Sequence, residues 1–131
     1  MREIKFRGKD CSDQWVYGDL IHKRHTKESV LIQDYTGLGS DVDIITIGQY
    51  TGLKDKNGKE IYEGDIVDAW SAGGHLPNGI IKWGEGIAGF FIMPPKCNAV
   101  WHLVGNDENK ESLEVIGNIY DNPELIKEEE K

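Results

Sequence analysis

The sequence predicts a mainly β protein, built from short, strongly bent antiparallel strands and closed by a short C-terminal helix. Three observations predict it. Asn57-Gly58 sits between two apolar runs and is the strongest short-range signal for a β-hairpin. Glu3-Ile4-Lys5-Phe6-Arg7 alternates apolar and charged residues with the period of a strand. The composition couples 38% hydrophobic residues with 16 glycines in 131 residues, the mixture of a folded, turn-rich β protein.

The central hairpin can be read from its charges. A two-residue Asn-Gly loop would oppose Lys56 to Lys59 and Asp55 to Glu60, two like-charge pairs. A three-residue loop, Lys56-Asn57-Gly58, instead opposes Asp55 to Lys59, Lys54 to Glu60 and Leu53 to Ile61. Directly opposed charges are worth roughly 0.2–1 kcal/mol each, so the second register is favoured. It implies a type I turn with Gly58 left-handed in a bulge, and it sets the Tyr62 ring across from the bare backbone of Gly52.

Taken in order, residues 3–7 form a first strand with Ile4 and Phe6 inward and Glu3, Lys5 and Arg7 in water. Residues 8–13 are a turn. Residues 14–22 are a second strand with Trp15, Tyr17 and Leu20 on its buried side, and residues 29–35 a third. The glycine-rich run 36–41 reads as the most mobile loop. Residues 43–47 lead as a strand into the central hairpin, and 65–70 start a new one after Glu63-Gly64-Asp65. Residues 71–79 are too rich in Gly and Pro for regular structure. Residues 80–83 and 87–93 make a hairpin around Gly84-Glu85-Gly86, ended by Pro94-Pro95. Strands follow at 99–104 and 112–116. Asn122 as N-cap, Pro123 at the first helical position and Glu124 at the positive end of the dipole predict the terminal helix.

Two stretches echo two others in the same order. Tyr17-Gly18-Asp19-Leu20-Ile21 is similar to Glu63-Gly64-Asp65-Ile66-Val67, and Thr46-Ile47-Gly48-Gln49-Tyr50 to Val115-Ile116-Gly117-Asn118-Ile119-Tyr120. At this length one domain, 1–131, is the expectation, and the echo suggests two β-lobes within it, 1–62 and 63–131.

The run from Ile47 through Tyr50-Thr51-Gly52-Leu53-Lys54-Asp55-Lys56-Asn57-Gly58-Lys59-Glu60-Ile61-Tyr62-Glu63-Gly64-Asp65 to Val67 resembles the core of the YopX family of bacteriophages and prophages. Ile4-Lys5-Phe6-Arg7-Gly8 and Ile116-Gly117-Asn118-Ile119-Tyr120-Asp121-Asn122-Pro123-Glu124-Leu125 are similar to that family's first and last signatures. The likeness spans nearly the whole chain around a variable middle, 71–114. It implies one or two SH3-like rolls or barrels, and it brings no catalytic residues to carry over.

The net charge of −8 is unevenly spread. Residues 1–31 carry seven basic and five acidic side chains, a net of +2, and residues 32–131 carry eight and eighteen, a net of −10. So acidic a surface repels a phosphate backbone, which argues against general nucleic-acid binding. No apolar run approaches the ~20 residues of a membrane span. The N-terminus lacks the apolar core of a signal peptide, so Cys11 and Cys97 read as free thiols in a reducing bacterial cytoplasm.

Four motifs suggest chemistry and each fails on its surroundings. Gly84-Glu85-Gly86-Ile87-Ala88-Gly89 has the G-x-G-x-x-G spacing, but Phe90-Phe91-Ile92-Met93 follows where a dinucleotide site needs a helix. Aligning Gly58 with the invariant glycine of a calcium loop puts Leu53 and Gly64 where carboxylates are required. His22 and His25 flank Lys23 and Arg24, whose charges repel a metal, while His75, His102, Cys11 and Cys97 lack zinc spacing. Asp65 and Asp68 point to opposite faces of an extended strand, so the Glu63-Asp65-Asp68 cluster is broken, and Asp65 is better used on its own turn. No catalytic, cofactor-binding or metal residue is therefore assigned.

The functional expectation is a phage or prophage accessory protein that works by binding rather than catalysis. Adjacent Phe90 and Phe91 must face opposite sides of a strand, one toward the core and one toward a cover, which points to a homo-oligomer beside an unidentified host or phage protein partner. Two rivals remain open. One is an acidic DNA mimic that occupies a host DNA-binding enzyme. The other is a small hydrolase with a site assembled from scattered carboxylates and histidines.

Overall fold

The computed structural model describes residues 3–23, 30–71, 74–94, 101–102 and 113–126. Its strands are β1 (Phe6–Lys9), β2 (Trp15–His22), β3 (Val30–Gln33), β4 (Gly39–Val42), β5 (Gly48–Lys54), β6 (Glu60–Tyr62), β7 (Asp65–Ser71), β8 (Gly74–Gly84), β9 (Gly89–Met93), β10 (Trp101–His102) and β11 (Leu113–Asn118). Among the described residues, helical structure is limited to two 3-10 turns, Ile44–Thr46 and Pro123–Leu125. The chain is therefore mainly β.

It divides into two compact units, Met1–Gly52 and Leu53–Lys131. In the first, the strand order is β4-β3-β2-β1-β5, all antiparallel. In the second it is β10-β9-β8-β7-β11, again antiparallel. Both are four consecutive strands followed by a fifth that returns to pair with the first, and neither order closes into a barrel. β5 crosses the boundary at Gly52, whose φ of 89° lies in the left-handed region. An added Cβ there would meet nothing within 4 Å, so it is the left-handed backbone and not crowding that calls for glycine.

The parallel extends to register. Gly48 pairs with Arg7 and Gln49 with Phe6 in the first unit, while Gly117 pairs with Ile66 and Asn118 with Asp65 in the second. The Ile-Gly-polar echo thus holds equivalent places against the second and first residues of β1 and β7. The other echo does not. Gly18-Asp19 lies in the middle of β2, whereas Gly64-Asp65 leads into β7, whose counterpart by strand order is β1.

Three hairpins share one turn. At Asp10, Asp34 and Asp55 the aspartate N–H donates to the carbonyl four residues on, and its own carbonyl accepts from the third residue. One carboxylate oxygen then accepts two more N–H groups, from Ser12 and Gln14, from Thr36 and Leu38, and from Asn57 and Lys59. That third residue is left-handed each time: Asp13 at φ 61°, Gly37 at 91° and Gly58 at 80°. This is the three-residue loop expected at Asn57-Gly58, with Asp55 N donating to Lys59 O at 2.8 Å. At Asp34 it replaces the expected mobile loop, since the run ends in β4.

Other expectations fail for identifiable reasons. The run 43–47 is not a strand. Asp43 accepts from Ile45 N at 3.1 Å and Thr46 Oγ1 donates to Asp43 O at 2.6 Å, so side chains close a 3-10 turn first. From Gly74 on, the run expected to be irregular is strand β8. Pro77 and Asn78 fit there by opposing Asp68 alone in a bulge, where Pro77 has no ladder bond to lose. Asn78, at φ 56°, donates its N–H to Asp68 Oδ1 at 3.2 Å. The terminal helix is a 3-10 turn in the described residues. Asn122 makes no cap bond, because its side chain accepts from Asn118 N at 3.2 Å instead.

The facing of β1 departs from the expected one in part: Glu3 is exposed and Phe6 half-buried, and Gly8, on the face of Phe6, lies against Val42 and Ile32. Arg7 and Lys9 are buried while Ile4 is exposed. The Arg7 guanidinium lies 4.5 Å from the Trp15 ring centroid and the Lys9 ammonium 5.3 Å, so an aromatic face takes both charges. Lys9 also pairs with Asp13 at 3.0 Å. In the second unit the core is Ile61, Val67, Ala69, Leu76, Ile81, Ile92 and Leu113. In β9 the buried residue is Ile92, and Phe90 and Phe91 are both only partly buried. Phe90 sits edge-on to Trp83, 5.1 Å between ring centroids.

Candidate binding groove

Of the carboxylates that suggested catalysis, Asp65 and Asp68 each accept a backbone N–H. Asp65, 1% exposed, accepts from Tyr62 N at 2.7 Å across the Glu63-Gly64 turn, the local role expected of it. Asp55, 3% exposed, adds to its two turn bonds a third from Val115 N at 2.9 Å, beside Lys56 N donating to Leu113 O. One carboxylate thus binds β11 to the hairpin, a role that the charge-pair reading of Asp55 and Lys59 missed. G-x-G-x-x-G lies in the β8–β9 turn, where Ile87 N donates to Gly84 O. His22 ends β2 and Cys11 is an exposed thiol. Cys97 and His25 lie outside the described residues. Among those residues, no three His, Cys, Asp or Glu side chains gather as a metal would require.

His75 is less isolated than its sequence position suggests. It pairs across the β7–β8 ladder with Trp70, the two rings stacked at 4.7 Å and 9°. Lys56 Nζ lies 5.2 Å from the Trp70 ring and 2.9 Å from Glu114. Asp68 Oδ1 is 3.8 Å from His75 Nε2, beyond hydrogen-bond reach. This is a surface patch without a nucleophile.

A concave site belongs to the first unit. β2 pairs with β1 through residues 15–18 and with β3 through residues 19–22, changing partner at Gly18. That position must be glycine, because a Cβ there would stand 2.0 Å from Gln33 O. β1 stops pairing with β2 at Phe6 and β3 with β2 at Gln33, while Lys5 O still accepts from Tyr50 N on the far side of β1. A groove of about 300 Å³ opens where β2 changes partner, lined by Glu3, Ile4, Lys5, Tyr17, Gly18, Asp19, Gln33 and Tyr35.

Its walls are apolar and its polar groups are mostly acceptors. Tyr17 is 45% exposed, Ile4 is exposed and Tyr35 is fully so. Tyr17 was expected in the core; it shares the face of Trp15 and of its partner Arg7 but stands at the last β1-paired positions of β2, where it stays exposed. Tyr35 stands at the tip of the Asp34 turn, and an aromatic in an Asp-x-x-Gly turn was the sequence signal that could have found it. Gln33 Nε2 donates to Gly37 O at 3.0 Å, which leaves its amide oxygen as an acceptor. Lys5, the cation of the groove, is 3.5 Å from Glu3 and 5.3 Å from the Tyr50 ring. Asp34, just behind the rim, has its pKa held below 3.8, chiefly by the Thr36 hydroxyl at 2.5 Å, with backbone N–H groups adding to it.

The model of the YopX protein family matches residues 5–127. The chain belongs to the YopX family. The crystal structure of protein EF1440 from Enterococcus faecalis is similar over 97% of this chain and 100% of that one, with a TM-score of 0.59 and 25% identity. No curated protein matches. The stretches that carry the YopX likeness are those that build turns here. Asp55 and Gly58 make the central hairpin, and Gly64 and Asp65 the next turn. Asn118 closes the last by accepting from Tyr120 N and Asp121 N. The family signature is in large part a folding signature.

Proposed function

We propose that this YopX-family chain is a non-catalytic interaction module, an accessory protein of a phage or prophage acting in the bacterial cytoplasm, and that the groove at the bend of β2 is where it takes its partner. The single observation carrying the reading is the contrast between that groove and the carboxylates. The groove presents exposed aromatic rings around a cavity, whereas Asp55, Asp65 and Asp68 spend carboxylate oxygens on backbone N–H groups. Each unit is read as an SH3-like roll, since a fifth strand returning to the first beside a four-strand meander is the order of that fold. The matched register of Gly48 and Gly117 supports reading the two units as a duplication. Exposed Ile44, Ile45, Trp83 and Ile87 supply apolar surface for a homo-oligomer.

The test is affinity purification from lysogenic or infected cells with the wild-type chain and a folded Tyr17→Ala/Tyr35→Ala variant. A partner retained by the wild type and lost by the variant is expected. A DNA-binding enzyme held equally by both would overturn the groove reading in favour of DNA mimicry by the acidic surface. Hydrolytic turnover by the purified chain would overturn the non-catalytic assignment.

A further inference from the structure

We infer that the groove at the β2 bend recognises a cationic side chain, arginine before lysine, presented by an extended segment of the partner; this rests on the reading of the groove as a binding site. The charge and donor pattern carries it. Of the polar side chains lining the groove, Glu3 and Asp19 are carboxylates and Gln33 offers an amide oxygen, while the one cation, Lys5, is neutralised by Glu3. Asp19 has no ion-pair partner among the described residues, and it lies beside the exposed ring of Tyr17. A guanidinium answers each of these features: it stacks on an aromatic face, donates up to five N–H groups and forks onto a carboxylate. The same fold shows the pairing internally, with Arg7 over Trp15. A cavity of about 300 Å³ is at the lower limit for a ligand pocket and suits one long side chain better than a whole small molecule. β2 parts from β1 after Gly18 and from β3 before Asp19, and the groove between those two ladders is where the segment lies.

The experiment follows amide shifts of the full ¹⁵N-labelled chain at physiological salt. The probes are four capped Gly-Gly-Xaa-Gly-Gly peptides in which Xaa is arginine, lysine, citrulline or glutamate. The arginine peptide is expected to move Tyr17, Gly18, Asp19, Gln33 and Tyr35 saturably, with lysine weaker and glutamate silent. Citrulline keeps the shape and loses the charge, and Asp19→Asn does the same from the protein side. Each should weaken binding about tenfold, the worth of one charge-assisted contact. Glu85→Gln, on the exposed β8–β9 turn, should leave it unchanged. Equal binding of citrulline and arginine at these residues, or indifference to Asp19→Asn, would overturn the cationic ligand while leaving a binding groove. Shifts spread over the acidic surface, or none at the groove up to about 10 mM, would overturn both.

Discussion

Asp34 shows what one side chain does for a turn and how pH should reveal it. Its carboxylate accepts the Thr36 hydroxyl and the N–H groups of Thr36 and Leu38, bonds that favour the ionised form in the folded chain. Its folded pKa is therefore lowered, so its contribution is fully present above about 3.8 and is lost as pH falls through the lower folded value. Asp34→Asn should therefore lower stability at pH 7 in urea denaturation and lose that deficit as pH falls below the folded pKa, flattening that part of the acid limb. A parallel loss at both pH values would mean that Asp34 acts by shape alone. Gly58 tests the same turn from the backbone side. At φ 80°, with open space where a Cβ would go, Gly58→Val should cost roughly 1–3 kcal/mol from strain and none from collision. An unchanged melting temperature would remove the left-handed turn.

Between elements, Asp55 is the decisive group. Two of its three bonds belong to the hairpin and the third, to Val115 N, attaches β11. Replacing a buried carboxylate with alanine leaves several donors unsatisfied, so Asp55→Ala should destabilise by on the order of 3 kcal/mol. Asp55→Asn separates the two roles. Its amide oxygen can still serve Asn57 and Lys59, but its NH₂ then faces the Val115 N–H. Hydrogen exchange should show faster exchange at Val115 with Asn57 and Lys59 still protected. Loss of protection at all three would mean that the hairpin and β11 form as one unit. Gly18 plays the corresponding part in β2, since only the absent side chain lets β3 come within reach of the bend.

For the molecule as a whole, the expected consequence of its exposed apolar residues is self-association. Ile45 is 74% exposed on a 3-10 turn, and Ile44 and Trp83 are close to half exposed. Closed symmetric assembly is the usual way to cover such surface, with a dimer the commonest outcome. Native mass spectrometry at micromolar concentration should show a dimer or higher species that grows with concentration. A monomer throughout would mean that this surface serves a different partner. Among the described residues no helix is long and apolar enough to cross a membrane, and the acidic balance sets the charge of whatever approaches.

The sequence by itself determined what rests on neighbours along the chain. Asn57-Gly58 and the alternating charges gave the hairpin register, because like charges across a two-residue loop repel, and Asp65 could be assigned to its own turn. The family was legible because its signatures are turns, and turns are written in short strings of Gly, Asn and Asp. The recurring Asp-x-x-Gly was equally local at Asp34 and Asp55, and went unread at Asp34. What tertiary structure alone decided is which face each strand buries and which strands meet. Arg7 went inward because Trp15, eight residues on, supplies an aromatic face across a ladder that no local pattern records. Tyr17 shares the face of its partner Arg7 yet stays 45% exposed, at the point where β2 leaves β1 for β3, a change that Gly18 permits because it has no Cβ to meet Gln33 O. The groove exists only where those two ladders part, so residues 3–5, 17–19, 33 and 35 share a site that no spacing along the chain could specify.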